Sequence, residues 1–182
     1  NVENQEIIGV FGYAIEKIIK KISGKLRVVE NQVYNQTNNS ESLRLAVNNT
    51  NRTNILFFHG DLYFNDKVFS NLNYKKSFLL VDNKGMMKSK EIGVTIQNNK
   101  ATMLSYGLPT KWCQMAFITG RELKILKNIL YKLQGSQKKL LSFEIINKMI
   151  SMGANFECYE PKDMSIIEID CIKDLKNENF NF

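Results

Sequence analysis

The sequence predicts an α/β fold with a mostly parallel sheet, helices on both faces and an antiparallel insertion in the second half. In the first part of the chain, apolar runs suited to buried strands alternate with amphipathic helical segments, an order typical of parallel sheets. From residue 77 onwards, strand-like segments follow one another directly. The 182 residues, 43% of them hydrophobic, suit one domain over 1–182 with its own core.

Three candidate strands and three candidate helices make up the first part. The first helix has isoleucines at positions 15, 18, 19 and 22, the spacing of one helix face. Leu43 with Ala46 or Val47 should face inward from the second helix, and Asn65 is the expected N-cap of the third. In chain order the segments are IIGVF (7–11), YAIEKIIKKIS (13–23), LRVVE (26–30), SESLRLAVNN (40–49), ILFFH (55–59) and DKVFSNL (66–72).

The second part is richer in strands. Asn98 and Asn99 lie between two strand-like segments and predict a hairpin turn. Thr119 and Glu122 have the spacing of a capping box at the start of a helix. The segments are SFLLVD (77–82), IGVTIQ (92–97), ATMLS (101–105), CQMAFIT (113–119), the helices RELKILKNILYKL (121–133) and SFEIINKMISMG (142–153), the strands NFECYE (155–160) and SIIEID (165–170), and the helix CIKDLKN (171–177).

Composition narrows the classes of protein to consider. The net charge is +7, but the lysines are scattered and the longest basic runs are pairs, which argues against a nucleic-acid partner and favours polyanionic ligands such as nucleoside triphosphates. No apolar run is long enough to span a membrane, and the N-terminal residues do not have the order of a signal peptide. Three widely spaced cysteines suggest core packing in a reduced, cytoplasmic protein.

The stretch ILFFHGDLYFND (55–66) ends an apolar run in His59, Gly60 and Asp61. A single histidine at this place is most often a packed core residue. In open α/β sheets, ligands bind outside the carboxyl ends of the strands, where this pattern places Asp61. Gly60 would allow close backbone approach or an unusual dihedral angle. Two roles therefore remain open for Asp61, a turn residue and a ligand-binding residue.

Two more carboxylates lie at the end of another apolar strand. Asp170 ends SIIEID, and Glu168 lies two residues earlier, on the same face of a regular strand. Mg²⁺ prefers oxygen ligands and commonly takes one or two carboxylates. Asp61 and Asp170 are therefore a candidate magnesium pair, while an N-cap for the following helix is the alternative role of Asp170. The sequence contains no glycine-rich phosphate loop of a known pattern.

These segments together resemble the nucleotidyltransferases that make CDP-choline and related activated small molecules, which are related to the sugar-phosphate nucleotidyltransferases. The resemblance is to phosphocholine cytidylyltransferases in particular, and its most specific part is TNNSESL followed by HGDLYF. It is carried by GYAIEKI (12–18), YNQTNNSESLRLA (34–46), ILFFHGDLYFND (55–66), SFLLVDNKGMM (77–87) and IEIDCIKDL (167–175).

The resemblance implies a Rossmann-like nucleotidyltransferase fold and a Mg²⁺-dependent transfer of a nucleotidyl group, CMP from CTP being favoured, with release of pyrophosphate. Asp61 and Asp170 match the positions that hold the metal. Asn38, Asn39 and Ser42 match the loop that meets the nucleobase, with Gly60 beside the phosphates. A turn and a helix cap is the alternative interpretation of TNNS.

The acceptor implied is a small phosphorylated or phosphonate compound such as phosphocholine. Tyr106 and Trp112 could contact a quaternary ammonium group through their aromatic faces, with Glu168 as counter-charge. The alternative is that both rings pack the hairpin onto the core. A glycosyltransferase of similar architecture is disfavoured because Leu62 and Tyr63 follow Asp61, so no Asp-x-Asp motif forms there.

One part of the family pattern is not present. The family begins with a strand, a glycine-rich loop and a lysine that bind the triphosphate, and these should precede GYAIEKI. The chain begins at Asn1 and is expected to be the later two-thirds of the fold. Unpaired strand edges favour a homodimer or a complementing N-terminal chain. The alternative function is a non-catalytic, truncated or split homologue that binds a nucleotide or acts as an interaction subunit.

Overall fold

The computed structural model describes residues 6–22, 24, 26–84, 90–171 and 174. The chain divides into two compact units, one of Asn1–Thr53 with Leu123–Gly153, the other of Asn54–Glu122 with Ala154–Phe182. Strands and helices alternate through the first stretch, as the sequence predicts, and the α/β class is confirmed. Among the residues described, no helix is both long and apolar enough to cross a membrane.

In the first unit, β1 (Ile7–Phe11) and β2 (Leu26–Glu30) form a parallel pair at the predicted bounds. Between them, α1 (Ile15–Ile19) is shorter than predicted and buries none of its residues. Ile19 is 52% exposed, whereas the other three isoleucines of the expected inward face are half-buried, so this face is only partly covered. A helix of this length gains little from its own hydrogen bonds and depends on packing for stability.

Three longer helices complete the first unit. They are α2 (Asn39–Asn48), most of α3 (Gly120–Tyr131) and α4 (Ser142–Ser151), with a 3₁₀ helix at Gly135–Lys139 before α4. α2 packs against β1 and α4 and buries Leu43 and Val47, as its apolar spacing predicts.

The second unit is built on a six-stranded mixed sheet with the order β3-β8-β5-β9-β7-β6, in which β6 also pairs with β8. Among the described residues of this sheet, only the β5–β9 pair is parallel, so parallel pairing is less frequent than the sequence led us to expect. The strands are β3 (Asn54–Phe58), β5 (Phe78–Asp82), β6 (Ile92–Gln97), β7 (Lys100–Tyr106), β8 (Thr110–Thr119) and β9 (Glu157–Tyr159).

Two local predictions in this unit are confirmed by the backbone. Asn98 and Asn99 have φ angles of 50° and 61°, the left-handed pair of a two-residue hairpin turn between β6 and β7. The apolar run of β5 is buried along its first four residues. Phe78 of this strand stacks on Phe117 of β8 with ring centroids 5.2 Å apart, at the centre of the core of the unit.

Two predicted helix caps are wrong. Asn65 does not cap the 3₁₀ helix Asp66–Phe69. Its side chain instead donates to the carbonyl of Asp163 and accepts from the amide of Ser165, at 3.1 and 3.2 Å. At the start of α3, the Glu122 carboxylate accepts a hydrogen bond from the Asn155 amide rather than closing a capping box. The side chains that the local patterns predicted to cap helices hydrogen-bond instead to residues distant in sequence.

Candidate metal centre

A short ribbon of the second unit brings two distant parts of the chain together. β4 (Leu62–Phe64) and β10 (Ile166–Glu168) pair antiparallel, with Leu62 opposite Glu168. One residue beyond each strand end, the Ile169 amide donates to the carbonyl of Asp61 at 2.8 Å. The ribbon therefore fixes the backbone of Asp61 beside the chain that leads from Glu168 to Asp170.

Three carboxylates converge at this end of the ribbon. Asp61, Glu168 and Asp170 each place one carboxylate oxygen within 4.8 Å of the others. Asp61 and Asp170 are exposed and Glu168 is half-buried. Over the described part of the chain, none of the three forms an ion pair with a cationic side chain. Three mutually repelling oxygen donors suit a hard divalent cation, so the donor set fits Mg²⁺.

The route by which the aspartates meet differs from the prediction. We expected Asp61 and Asp170 at the carboxyl ends of parallel strands. In the structure β3 runs antiparallel to its neighbour β8, and β10 pairs only with β4 among the described strands. The two aspartates meet because the β4–β10 ribbon joins their segments.

The backbone after Asp170 is capped by another residue. Asp174 accepts hydrogen bonds through Oδ2 from the amides of Asp170 and Cys171, at 2.9 and 2.7 Å. The amides that the Asp170 side chain would cap belong to residues 172 and 173, which lie outside the described residues, so its N-cap role stays a prediction. The rest of the predicted helix, at 172–173 and from 175 onwards, lies outside the described residues.

His59 lies beside the carboxylates. Its ring meets the indole of Trp112 edge-on, with centroids 5.9 Å apart, and its side chain hydrogen-bonds to that of Gln114. Burial lowers the pKa of His59 below its usual value, and the charges of Asp61 and Glu168 together with the Gln114 hydrogen bond partly oppose this shift. The packed, hydrogen-bonded role expected from the sequence is the one observed.

Gly60 has open space where a Cβ would lie, and its φ angle is outside the left-handed region. An unusual dihedral angle is therefore not the reason for glycine at this position, and close approach by a ligand stays a prediction. No atom lies within 4 Å of the Cβ position of Gly60, so a larger side chain would meet no steric barrier there.

The predicted nucleobase residues belong to the first unit, at the start of α2. The Asn38 side chain accepts from the Asn39 amide at 2.8 Å and caps the helix, as the alternative interpretation of TNNS expected. Asn38 is exposed, whereas Asn39 and Ser42 are half-buried. Their contact with a nucleobase stays a prediction.

The two aromatic residues predicted for the acceptor have different surroundings. Trp112 is 1% exposed, donates its indole N–H to the Met115 carbonyl at 3.1 Å and packs against Phe57 and His59. This burial favours the packing role for Trp112. Tyr106, the last residue of β7, is 52% exposed. Glu168 is the acceptor candidate that lies in the carboxylate cluster.

Sequence reasoning missed a buried ion-pair network in the first unit. Glu41 is 2% exposed and accepts two hydrogen bonds from Arg44, at 2.6 and 2.7 Å, with Lys138 at 3.4 Å. The Arg44 hydrogen bond lowers the pKa of Glu41. The amide of Asn38 and the hydroxyl of Ser40 both donate to the Lys138 carbonyl. The spacing of Glu41 and Arg44 was a visible signal, but the contact with Lys138 depends on the tertiary fold.

Comparison with solved structures identifies this architecture. The inositol-1-phosphate CTP transferase of T. maritima superimposes with a TM-score of 0.68 at 16% identity, over 91% of this chain and 70% of the other. The CTP:phosphocholine cytidylyltransferase of Streptococcus pneumoniae gives 0.71 at 19%, over 94% and 76%. The nucleoside-diphosphate-sugar pyrophosphorylase of Vibrio cholerae gives 0.71 at 12%, over 96% and 80%. No family model and no curated protein sequence matches the chain.

The chain therefore has the nucleotidyltransferase fold, as the sequence resemblance implied. The solved structures that share it include a CTP transferase, a cytidylyltransferase and a nucleoside-diphosphate-sugar pyrophosphorylase.

Proposed function

We propose that this protein transfers a nucleotidyl group, CMP from CTP, to a small phosphorylated or phosphonate acceptor such as phosphocholine and releases pyrophosphate. The observation that carries the proposal is the convergence of Asp61, Glu168 and Asp170 at the end of the β4–β10 ribbon. The fold, shared with cytidylyltransferases, supports this reaction class.

The reaction needs charge neutralisation more than covalent chemistry from the protein. An oxygen of the acceptor phosphate attacks the α-phosphorus of the triphosphate, a new P–O bond forms, and the bond to the β-phosphate oxygen breaks with pyrophosphate as leaving group. Both reactants are anions, so they repel each other on approach. Bound Mg²⁺ would supply the positive charge that brings the two phosphates together.

Asp61 and Asp170 would hold the metal, and Glu168 offers a third oxygen on the same side. The hydrogen bond from the Ile169 amide holds the Asp61 backbone, and the two hydrogen bonds to Asp174 hold the backbone at Asp170. These bonds use main-chain atoms of Asp61, Asp170 and Cys171 and do not involve the carboxylates of the two aspartates. Orientation of both ligands before the reaction is then the main contribution of the chain.

A pyrophosphate-release assay tests the proposal. The full-length protein is screened with each of four nucleoside triphosphates against a panel of phosphorylated amino alcohols, phosphonates and sugar phosphates, with MgCl₂ and with EDTA. We expect release with CTP and a phosphorylated amino alcohol, and none in EDTA. Asp61→Asn and Asp170→Asn should each abolish release while circular dichroism stays that of the wild type.

Asp66→Asn is the matched control, since Asp66 is an exposed carboxylate of the same unit that lies outside the cluster. It should keep wild-type turnover. Near-normal turnover in either cluster variant would overturn the metal assignment. Binding of a nucleotide without turnover for any acceptor would overturn the enzymatic proposal and support a binding or interaction subunit.

A further inference from the structure

We propose that Gln114 is a positioning residue for the metal centre and acts through His59. This metal centre is the site of the proposed function, and any effect of Gln114 on catalysis rests on that proposed function. The ladder between β3 and β8 ends at Phe58, and β4 begins only at Leu62, so the turn that carries Asp61 lies outside both ladders. The Ile169 amide holds the Asp61 carbonyl at one end of this turn, and a different contact holds the other end, at His59.

The contact is made by an irregular part of β8. Val81 of β5 pairs with Trp112 and Leu79 pairs with Ala116, so one residue of β5 lies opposite three residues of β8. This is a β-bulge, and bulges re-aim side chains at functional sites. The indole of Trp112 closes the bulge through its hydrogen bond to the Met115 carbonyl.

Gln114 lies inside the bulge with a φ angle of 57°. Residues with a Cβ rarely adopt this left-handed conformation, and glycine adopts it without strain. The pairing of β3 with β8 ends with Phe58 opposite Met115, so His59 and Gln114 are the next two residues in register. A hydrogen bond joins their side chains. His59 is thereby held between Gln114 and the Trp112 ring, two residues before Asp61 and within electrostatic range of Asp61 and Glu168.

The bulge orients Gln114, and Gln114 holds His59 at the start of the turn that carries Asp61. Partners behind metal ligands commonly change metal affinity by about 10–100-fold when they are replaced. If Gln114 only shaped the bulge, Gln114→Gly would leave the metal affinity unchanged, because glycine is at least as well suited as glutamine to the backbone of position 114.

The test uses Gln114→Gly in the full chain. The matched control is Asn98→Gly, which makes the same kind of change at another left-handed residue, in the hairpin turn between β6 and β7. Mn²⁺ serves as a paramagnetic probe, with affinity measured by electron paramagnetic resonance. Since the chain has one histidine, ring ¹H–¹⁵N spectra report His59 alone.

We expect wild-type and Asn98→Gly proteins to bind Mn²⁺ equally and to show broadening of the His59 signals. Gln114→Gly should bind Mn²⁺ about tenfold more weakly and show shifted His59 signals before metal is added. In a His59→Phe background, Gln114→Gly should lower the affinity no further, because the two residues act as one unit. Gln114→Asn, which keeps an amide and tolerates the left-handed region, should lie closer to the wild type.

Wild-type Mn²⁺ affinity and unchanged ring signals in Gln114→Gly would overturn the inference. Should that variant fail to fold, the Mn²⁺ affinity of His59→Phe is compared with that of the wild type, and equal affinity would overturn the inference. A wild-type protein without pyrophosphate release that still shows these Mn²⁺ effects would overturn the proposed reaction alone. Turnover in the wild type together with wild-type metal binding in Gln114→Gly would overturn the inference alone.

Discussion

Replacing Asp61 by asparagine should make the metal-free protein more stable although it removes a proposed metal ligand. The oxygens of Asp61, Glu168 and Asp170 lie within 4.8 Å of one another. At this separation two unit charges repel by about 1 kcal/mol in water and by about 3.5 kcal/mol at an effective dielectric constant of 20. Because Asp61 and Asp170 are exposed, the lower figure applies to the repulsions that the substitution removes. We expect a gain of about 1–2 kcal/mol in the free energy of unfolding.

Thermal unfolding in EDTA at low salt measures this gain, at about 2–4 °C per kcal/mol for a chain of this size. Asparagine keeps the shape of the side chain and the carbonyl that accepts from Ile169. Added MgCl₂ should stabilise the wild type, by about 2.7 kcal/mol at one hundred times the dissociation constant, and leave Asp61→Asn unchanged. The order of the two melting temperatures should then reverse.

Asp66→Asn again serves as the control. It should be no more stable than the wild type in EDTA, and MgCl₂ should stabilise it as much as the wild type. In 1 M NaCl the Debye length falls to about 3 Å, so the advantage of Asp61→Asn in EDTA should shrink. A lower melting temperature for Asp61→Asn than for the wild type in EDTA would refute the reasoning. It would mean that the aspartate makes favourable contacts in the metal-free protein that outweigh its repulsion.

Three further predictions concern parts of the chain outside the metal centre. Glu41→Gln should cost about 3 kcal/mol of unfolding free energy in urea titrations, since it leaves Arg44 without its buried partner. The folded pKa of Glu41 is lowered, so this contribution is complete well above 4.5 and is lost as the pH falls through the folded pKa. The free energies of unfolding of the wild type and Glu41→Gln should therefore converge as the pH falls below the folded pKa. Cys171 is exposed, while burial raises the pKa of Cys113 and Cys158 to about 12, so a thiol reagent at pH 8 should modify one cysteine in the folded protein and three in urea. An unchanged pH difference for Glu41→Gln, or fast modification of three thiols, would contradict these expectations.

The sequence was most informative where local pattern and tertiary packing agree. The strands β1, β2 and β5 lie where short apolar runs placed them. The Asn98–Asn99 turn follows from the tolerance of asparagine for positive φ, which needs no distant partner. These features depend on residues close in sequence, so the sequence alone can predict them.

Helix caps were less predictable because several distant groups compete for the same polar atoms. Asn65 and Glu122 have the residue types and spacing of caps, yet each bonds to a segment that follows it by 30 residues or more. A local motif identifies an available donor or acceptor and leaves its partner open.

The sequence by itself determined which residues could bind a metal. Asp61, Glu168 and Asp170 are carboxylates that follow or end apolar segments, and that much is visible without a structure. Only the tertiary structure decided that they meet, because the pairing of β4 with β10 joins segments about one hundred residues apart in the chain. It also decided the place of Gln114, since a left-handed glutamine in a bulge leaves no pattern in the sequence. Long-range strand pairing brings such residues together, and no local periodicity records which strands will pair.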